Sequence, residues 1–414
     1  MTDILALAAL WLGLALAATL LSIWLRIATA MSEIIVGTVA QLAIGALIGG
    51  SVLGTDQSWI KFLASTGAIV LTFLAGAELD MQVLRSRWKE TTAVGMIAFL
   101  APFLGCAAAA YWFLGWSRDA SWLAGIALST TSVAVAYAVM LEFGLNRTPY
   151  GKVVLAACFV NDLATVVALG LMFAPFTWKT LIFVVGSTAG IAVLPWITPR
   201  FFRRYGDRPS ELEAKFQLLC LFGFGALATW ADSEAVLPAY VIGMVLAGTV
   251  GRDHALVRRL RTVTFGLLTP FYFIRAGSFV SVPALIAAPL AFIVLLIAKM
   301  INKFVGVYPV TRRFASPRRE SMYTTMLMST GLTFGSISAL FGLSHGIVDK
   351  AQYSFLIAAV IGSAIVPTLI ANAFFLPHHL LPKPEGRVHE AASVPTAQQA
   401  LGENARPGKT IEIK

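Results

Sequence analysis

At positions 153–174 the chain reads VVLAACFVNDLATVVALGLMFA, an apolar run of 22 residues that holds a single carboxylate, Asp162. A helix rises about 1.5 Å per residue, so a run of this length crosses the roughly 30 Å hydrocarbon core of a bilayer. A charged side chain at that depth costs about 3 kcal/mol or more and usually marks an ion or proton path. We therefore expect Asp162, with Asn161 before it, to serve such a path.

The composition of the whole chain predicts a polytopic membrane protein. Hydrophobic residues make up 58% and charged residues 13% of the 414 positions, and the mean hydropathy is +0.79. A soluble domain carries about 25% charged residues. The first apolar segment, residues 4–25, follows Asp3 and has no positively charged residue before it, so we predict a retained span and not a signal peptide.

Hydropathy along the chain predicts an all-α fold with about thirteen transmembrane helices, each of a length suited to a bilayer. The predicted spans are residues 4–25, 33–53, 62–80, 91–115, 121–142, 151–174, 180–198, 214–231, 235–250, 262–281, 284–308, 321–341 and 352–377.

The distribution of charge predicts the orientation. One set of alternate connections holds 19 lysine and arginine residues, whereas the other set holds only Lys61, Arg118, Lys179 and Lys350. The positive-inside rule then places the N-terminus outside and the C-terminus in the cytoplasm. Cations scattered over many short loops do not form one basic face, so nucleic-acid binding is not expected.

Two hydroxyl clusters lie in the middle of spans, Ser129 to Ser132 in the fifth and Ser329 to Thr333 in the twelfth. Spans four to six and eleven to thirteen form two triplets that face opposite ways in the membrane. This arrangement is typical of inverted repeats whose central helices break at the midplane. For either cluster alone, serine and threonine bonded to the preceding turn of an intact helix is the favoured interpretation. The occurrence of two clusters in corresponding positions favours helix breaks instead.

Residues 1–381 are expected to form one membrane domain, and residues 382–414 a disordered cytoplasmic tail. The tail is rich in Pro, Ala, Glu and Lys and has no periodic apolar face. It is too short for an attached nucleotide-binding regulatory domain, and no phosphate-cradling glycine loop occurs in a soluble segment.

Six short motifs, in order along the chain, resemble those of cation:proton antiporters of the Kef/Nap branch. The resemblance covers about residues 5–380, and its specificity lies in the order and spacing of the motifs. They are Glu33-Ile-Ile-Val-Gly37, Phe73-Leu-Ala-Gly-Ala-Glu78-Leu-Asp80, Thr131-Ser132-Val, Asn161-Asp162, Pro270-Phe-Tyr-Phe and Ala298-Lys299-Met.

The resemblance implies a fold of the Nap/Nha antiporter type, with inverted repeats and two crossed broken helices. Dimerisation helices would then support a core bundle that includes spans near residues 91–174 and 284–377. It implies that Asp162 binds both cation and proton, next to Asn161 and the oxygens of Thr131 and Ser132. The second broken helix would contribute Ser329, Thr330 and Thr333.

The chain departs from the family pattern at the residue before the aspartate. Many members have an acid there that pairs with the lysine at position 299, and this chain has Asn161. With a single carboxylate, a proton and a cation compete for Asp162, so one-for-one electroneutral exchange is the simplest hypothesis. Lys299 is expected either to hydrogen-bond the broken helices or Asn161, or to extend towards the inner interface, since Lys303 lies one turn further on.

Arg275 is a second departure, because an arginine stays charged and must be paired, hydrated or near a helix end. An ion pair with Glu78 and a contact with Asp162 are both possible, and Glu78 is expected more readily at the cytoplasmic headgroups. The twelfth span carries no charge near its predicted break, so the choice between Na⁺ and K⁺ stays open.

The sequence thus predicts a transporter and not an enzyme. It would exchange Na⁺ or K⁺ for H⁺ by alternating access, without a cofactor and with no metal beyond the transported cation. The alternative is a sodium-coupled organic anion transporter of the same fold. The expected setting is a bacterial inner membrane, with lipid around a homodimer, for which the glycines between Gly37 and Gly50 permit close helix approach.

Overall fold

The computed structural model describes residues 2–25, 28–48, 53–77, 81–145, 148–173, 177–206, 210–231, 233, 235–250, 254–314 and 316–381. Within these residues the regular secondary structure is helical throughout. The predicted tail, residues 382–414, and Glu78 lie outside the described residues.

The described residues in the first half of the chain form nine helices. They are α1 Thr2–Leu25, α2 Thr29–Ile48, α3 Ser58–Ala77, α4 Met81–Ser86, α5 Trp88–Trp112, α6 Arg118–Ser129, α7 Val133–Glu142, α8 Pro149–Phe173 and α9 Trp178–Tyr205.

The second half forms nine more, and α12 and α18 each continue into a π-helical turn. They are α10 Leu212–Trp230, α11 Val236–Leu246, α12 His254–Val263, α13 Thr269–Ser278, α14 Val282–Ala287, α15 Pro289–Arg313, α16 Arg318–Met328, α17 Thr333–Ser344 and α18 Lys350–Ile370.

The predicted membrane helices are confirmed. Each of the thirteen predicted spans coincides with a helix or an interrupted pair of helices, and nine segments in the described part are long and apolar enough to cross a bilayer. The observed boundaries of α15 differ from those of the predicted span 284–308. The helix begins at Pro289 and ends at Arg313, five residues past the predicted end. Proline is well suited to the first turn of a helix, and hydropathy detects only the apolar part of a helix that continues beyond the membrane.

The helices differ sharply in burial. Only 17% of the most apolar window of α1 and 22% of that of α9 is buried, whereas 83% of the window in the α16–α17 pair is buried. Helices that present apolar side chains outward suit contact with lipid, and the interrupted pair forms the interior of the bundle.

A close crossing of α2 and α13 depends on two glycines. A β-carbon at Gly37 would collide with the carbonyl of Ile274, and one at Gly277 would collide with the carbonyl of Ile34. In each case the carbonyl belongs to the residue that lies three positions before the glycine of the other helix. Small residues allow membrane helices to approach to backbone contact in this way.

The same reciprocal contact occurs between α3 and α11. A β-carbon at Gly76 would collide with the carbonyl of Tyr240, and one at Gly243 with the carbonyl of Phe73. An inverted repeat relates α2 to α11 and α3 to α13. The crossing of α2 with α13 in one repeat therefore corresponds to the crossing of α11 with α3 in the other. The paired glycines therefore show the internal symmetry that the sequence predicted from the hydroxyl clusters.

Candidate functional site

Two helix breaks meet inside the bundle. Helix α6 ends at Ser129 and α7 begins at Val133, while α16 ends at Met328 and α17 begins at Thr333. The two connecting segments are buried and joined directly, since the backbone N–H of Ser132 donates to the carbonyl of Thr330 at 3.0 Å. The predicted pair of crossed broken helices is confirmed. Irregular backbone at this depth is tolerated because the protein itself satisfies its polar groups.

Most hydroxyls of the two clusters stabilise the ends of their own helices. The Thr130 hydroxyl donates to the Ala127 carbonyl at 3.0 Å, and the Thr330 hydroxyl donates to the Leu327 carbonyl at 2.7 Å. Ser129 and Ser329 make equivalent bonds within α6 and α16. For these residues the alternative interpretation of local bonding to the preceding turn is the observed one. Their donors bond carbonyls in the last turns of α6 and α16, where the regular helical hydrogen bonding ends.

Ser132 and Thr333 lie on the other side of the two breaks. The Ser132 hydroxyl oxygen accepts a bond from the backbone N–H of Val135 at 3.3 Å and so caps the start of α7. Thr333 is the first residue of α17 and is only partly buried, and its carbonyl accepts from the Ser336 hydroxyl at 2.9 Å.

Thr131 is the residue at which the two breaks and a third helix come together. Its hydroxyl donates to the carbonyl of Met328, at the end of α16, at 2.8 Å. Its backbone N–H donates to Asn161 Oδ1 on α8 at 2.9 Å. The Thr131 hydroxyl oxygen also accepts a hydrogen bond of 2.9 Å from Lys303 Nζ on α15.

Asn161 holds both sides of the first break. In addition to accepting from Thr131, its Nδ2 donates to the carbonyl of Ser129 at 3.2 Å. An amide offers one acceptor and one donor group, and this site uses both. An ionised aspartate at position 161 could accept from Thr131 but could not donate to Ser129, so the geometry gives a physical reason for an asparagine here.

Asp162 is almost completely buried beside these breaks, with 2% of its surface exposed. Its Oδ1 atom has no hydrogen-bond partner among the described residues. The charged side chain with the strongest electrostatic influence on the Asp162 carboxyl is Lys303. An ionised carboxylate in an apolar interior is strongly unfavourable unless a cation or a proton neutralises it.

Lys299 is fully buried against the helix breaks. Its Nζ donates to the Thr130 carbonyl at 3.2 Å and to the Ser363 hydroxyl at 3.0 Å. Both Lys299 and Lys303 are fully buried. Of the two expectations for Lys299, the hydrogen bond to a broken helix is therefore the one observed, and extension towards the interface is not.

Ser363 and Tyr240 are two site residues that the sequence did not suggest. The Ser363 hydroxyl, on α18, lies 3.3 Å from the carbonyl of Gly331 and supports the second break as Asn161 supports the first. The Tyr240 hydroxyl, on α11, donates to the Phe159 carbonyl on α8 at 2.9 Å. The Tyr240 ring packs edge-on against Phe334 of α17, with ring centroids 5.6 Å apart.

Arg275 occupies a different part of the molecule. Its Nε donates to the carbonyl of Thr55 at 3.0 Å, and its guanidinium lies 4.9 Å from the centre of the Phe279 ring. The contact with Asp162 is not formed, and the Glu78 side chain lies outside the described residues.

Arg275 also lines a cavity of about 600 Å³ between α3, α11 and α13 on one side and α17 on the other. The cavity lies at the end of the bundle where α8 and α17 finish and α11 begins. The polar residues in its wall are Ser65, Thr229, Ser233, Tyr272, Arg275, Ser344 and His345. Tyr240 and Phe334 lie one turn deeper along α11 and α17 than the wall residues Val236 and Ile337.

The sequence and the fold both have recognisable counterparts. The model of the family described as "Sodium/hydrogen exchanger, transmembrane" matches residues 9–376. Cation/H(+) antiporter 18 of Arabidopsis thaliana is 23% identical over 372 residues, which cover 82% of this chain and 46% of the relative. The glutathione-regulated potassium-efflux system protein KefC of Cronobacter sakazakii is 27% identical over 367 residues, which cover 82% of this chain and 58% of the relative. The chain thus spans about half the length of the curated relatives that it matches.

Among solved structures, the sodium proton antiporter MjNhaP1 from Methanocaldococcus jannaschii at pH 8 has a similar fold. It aligns with a TM-score of 0.64 and 17% identity over 90% of this chain and 96% of that chain. A second structure of the same antiporter, an electron-microscopy map, aligns with a TM-score of 0.65 and 14% identity over 92% of this chain.

Proposed function

The chain belongs to the sodium/hydrogen exchanger family, and on that premise we propose that it exchanges a monovalent cation, Na⁺ or K⁺, for a proton across the membrane. One observation carries the proposal, namely the burial of Asp162 beside two crossed helix breaks with its Oδ1 unpaired among the described residues. A proton and a monovalent cation each neutralise that carboxylate, and they cannot both occupy it. Competition for one carboxylate is sufficient for coupled exchange.

We propose that the exchange is electroneutral, one cation for one proton. Asn161 cannot titrate, and both of its polar atoms are used to hold the first break. Asp162 is then the single carboxylic acid of the site among the residues that the structure describes, and each occupant brings one positive charge to it. A membrane voltage would not drive such an exchange.

The identity of the cation is a matter for experiment. The names of the relatives point in two directions, since KefC is named for potassium efflux and MjNhaP1 for sodium and protons. Asp162, Thr131 and Ser132 are the oxygen ligands that we propose for either ion, and the second break would supply Ser329, Thr330 and Thr333. Oxygen donors suit both alkali cations.

Alternating access would proceed by movement of one group of helices against another. We propose that α5 to α8 and α15 to α18 form the moving core, and that α1 to α3 and α9 to α13 form the static, dimerising part. The 600 Å³ cavity lies between these groups and would be the entrance from one side. Tyr240 and Phe334, one turn deeper, are placed to separate that entrance from Asp162.

The orientation follows from the distribution of charge, and places the cavity on the outer side of a bacterial inner membrane with the C-terminus in the cytoplasm. A homodimer is also part of the proposal. Gly37 is not evidence for it, because the close approach at Gly37 is to α13 of the same chain. The exposed apolar faces of α1 and α9 are available for lipid or for a second copy.

The test uses purified protein in liposomes that contain a pH-sensitive dye. Addition of Na⁺ or K⁺ should move protons in the opposite direction in the wild type, and Asp162→Asn should abolish this movement. Asp119→Asn is the matched control, because it also removes one carboxylate but from an exposed position at the start of α6. Proton movement that persists in Asp162→Asn would contradict the proposal. Sodium-dependent uptake of an organic anion without proton movement would favour the alternative transporter instead.

A further inference from the structure

Lys303 is a buried lysine that the proposed exchange does not yet use. It lies one helical turn beyond Lys299 on α15 and is completely buried. Its ammonium donates to the Thr131 hydroxyl oxygen at 2.9 Å. The titratable groups with an electrostatic influence on it are Asp162 and Cys158 on α8, Cys106 on α5 and Lys299 on its own helix.

The geometry of Thr131 explains why this contact matters. The hydroxyl proton is committed to the Met328 carbonyl at 2.8 Å, so the oxygen faces its other neighbours as an acceptor. The Lys303 ammonium occupies that acceptor in the position where a cation ligand is expected. An ammonium and an alkali cation both seek oxygen atoms and carry the same charge, so they cannot share one small oxygen site without strong repulsion.

The two lysines of α15 differ in this respect. Lys299 directs its donors to the Thr130 carbonyl and the Ser363 hydroxyl. Lys303 instead donates to the hydroxyl oxygen of Thr131, which is a proposed ligand of the transported cation. Lys299 therefore contacts the backbone of the first break, and Lys303 contacts a proposed cation ligand.

We propose that the Lys303 ammonium is a tethered competitor that sets the affinity of the site for the transported cation. It occupies the oxygen of Thr131 beside Asp162, and an incoming Na⁺ or K⁺ must displace it from that oxygen. The inference rests on the proposed function, because it concerns affinity for the ion that Asp162 binds. Lys303 thus acts by position and charge. It lowers the affinity of the site for the transported cation, so the site fills only at high cation concentration.

The experiment measures KM for the cation and maximal rate, at one fixed pH, in three variants of Lys303. Lys303→Gln keeps a hydrogen-bond donor and removes the charge, Lys303→Met removes both, and Lys303→Arg keeps both. KM should fall about tenfold or more in the two neutral variants, equivalent to about 1.4 kcal/mol of cation binding. KM should stay near the wild-type value in Lys303→Arg. Lys350→Gln, an exposed residue at the start of α18, is the matched control for loss of a lysine charge.

The outcomes separate this inference from the proposed function. An unchanged KM in both neutral variants, or an equal fall in KM in Lys303→Arg, would overturn the role of the Lys303 charge. A purely structural lysine would instead lower the maximal rate and the melting temperature without lowering KM. Failure of the exchange itself is detected separately, because the wild type would then move no protons or Asp162→Asn would stay active. Cation-induced shifts of the melting temperature in detergent give a second measure of affinity, and should grow larger in both neutral variants.

Discussion

The backbone N–H of Thr131 lies 2.9 Å from Oδ1 of Asn161, so the residue next to the buried carboxylate is also the residue that holds the first helix break. Any change in the backbone at the break is transmitted directly to α8 at the level of Asp162. In the exchange that we propose, the Asn161 side chain would therefore couple ion binding at Asp162 to the position of the first break.

Replacement of Asn161 by alanine should weaken the break itself. The substitution leaves the buried Thr131 N–H and the Ser129 carbonyl without their partner. Each buried polar group left without a partner costs about 1–3 kcal/mol. We expect a clear fall in melting temperature and in transport rate. The control is Thr165→Val on the same helix, which removes a hydroxyl bonded only to the Asn161 carbonyl. Equal melting temperatures for wild type and Asn161→Ala would contradict this role.

Replacement of Asn161 by aspartate should change the electrical character of the exchange. The variant would place a second carboxylate near two buried lysines, so that protons and charge no longer balance one for one. We expect the rate in Asn161→Asp liposomes to depend on an imposed K⁺-valinomycin voltage, measured with Na⁺ as substrate, and the wild-type rate to be insensitive to it. Voltage dependence in the wild type would contradict electroneutrality. The variant should also be slower, because an aspartate repels the Ser129 carbonyl that Asn161 binds.

The apparent KM for the cation should rise as pH falls. Protonated Asp162 cannot bind the cation, so each tenfold increase in proton concentration raises KM by up to about tenfold wherever the carboxyl is mostly protonated. Saturating cation should displace the proton, so the maximal rate should change little over the same range. Initial rates over a series of cation concentrations at three pH values test this. A maximal rate that falls with pH at constant KM would indicate that the proton binds elsewhere.

Ser363 offers a prediction on the second break. Ser363→Ala removes one acceptor of Lys299 and a hydroxyl that lies against the Gly331 carbonyl. The buried ammonium would then rely on Thr130 alone, so we expect a lower melting temperature and a slower exchange with little change in KM. Thr368→Val is the matched control, because that hydroxyl on the same helix bonds only to the local Ala364 carbonyl. Equal effects of the two substitutions would show that Ser363 has no special role.

Most of the fold could be predicted from the sequence. Long apolar runs and two mid-span hydroxyl clusters identify both the membrane helices and their breaks, because bilayer thickness and the cost of buried polar groups constrain the chain so strongly. Asn161 and Asp162 stand out for the same reason. The apolar runs and the Asn161-Asp162 pair can each be read from a single span, whereas the breaks required two clusters in corresponding spans.

The contacts of the long lysine and arginine side chains could not be predicted from the sequence. Whether a lysine near a helix end extends to the interface or turns inward depends on the acceptors of other helices, here the Thr131 hydroxyl for Lys303. Arg275 is held by a carbonyl 220 residues away, in the connection between α2 and α3. Ser363 is one serine in an apolar span and carries no local signal. The inverted repeat could have identified it, since α18 corresponds to α8 and Ser363 lies as far from the start of α18 as Asp162 lies from the start of α8.

The reciprocal glycine crossings give a last prediction, which concerns stability and the symmetry of the fold. Gly37→Ala and Gly243→Ala should each destabilise the protein, because the added methyl group would meet a backbone carbonyl that cannot move aside. Overpacking of this kind costs about 1–3 kcal/mol. The two positions are equivalent under the inverted repeat, so their melting temperatures in detergent should fall by similar amounts. Gly223→Ala in α10 is the control, because a β-carbon there meets nothing within 4 Å, and alanine in a helix gains up to about 1 kcal/mol over glycine. A stable Gly37→Ala variant would show that α2 and α13 can separate without cost.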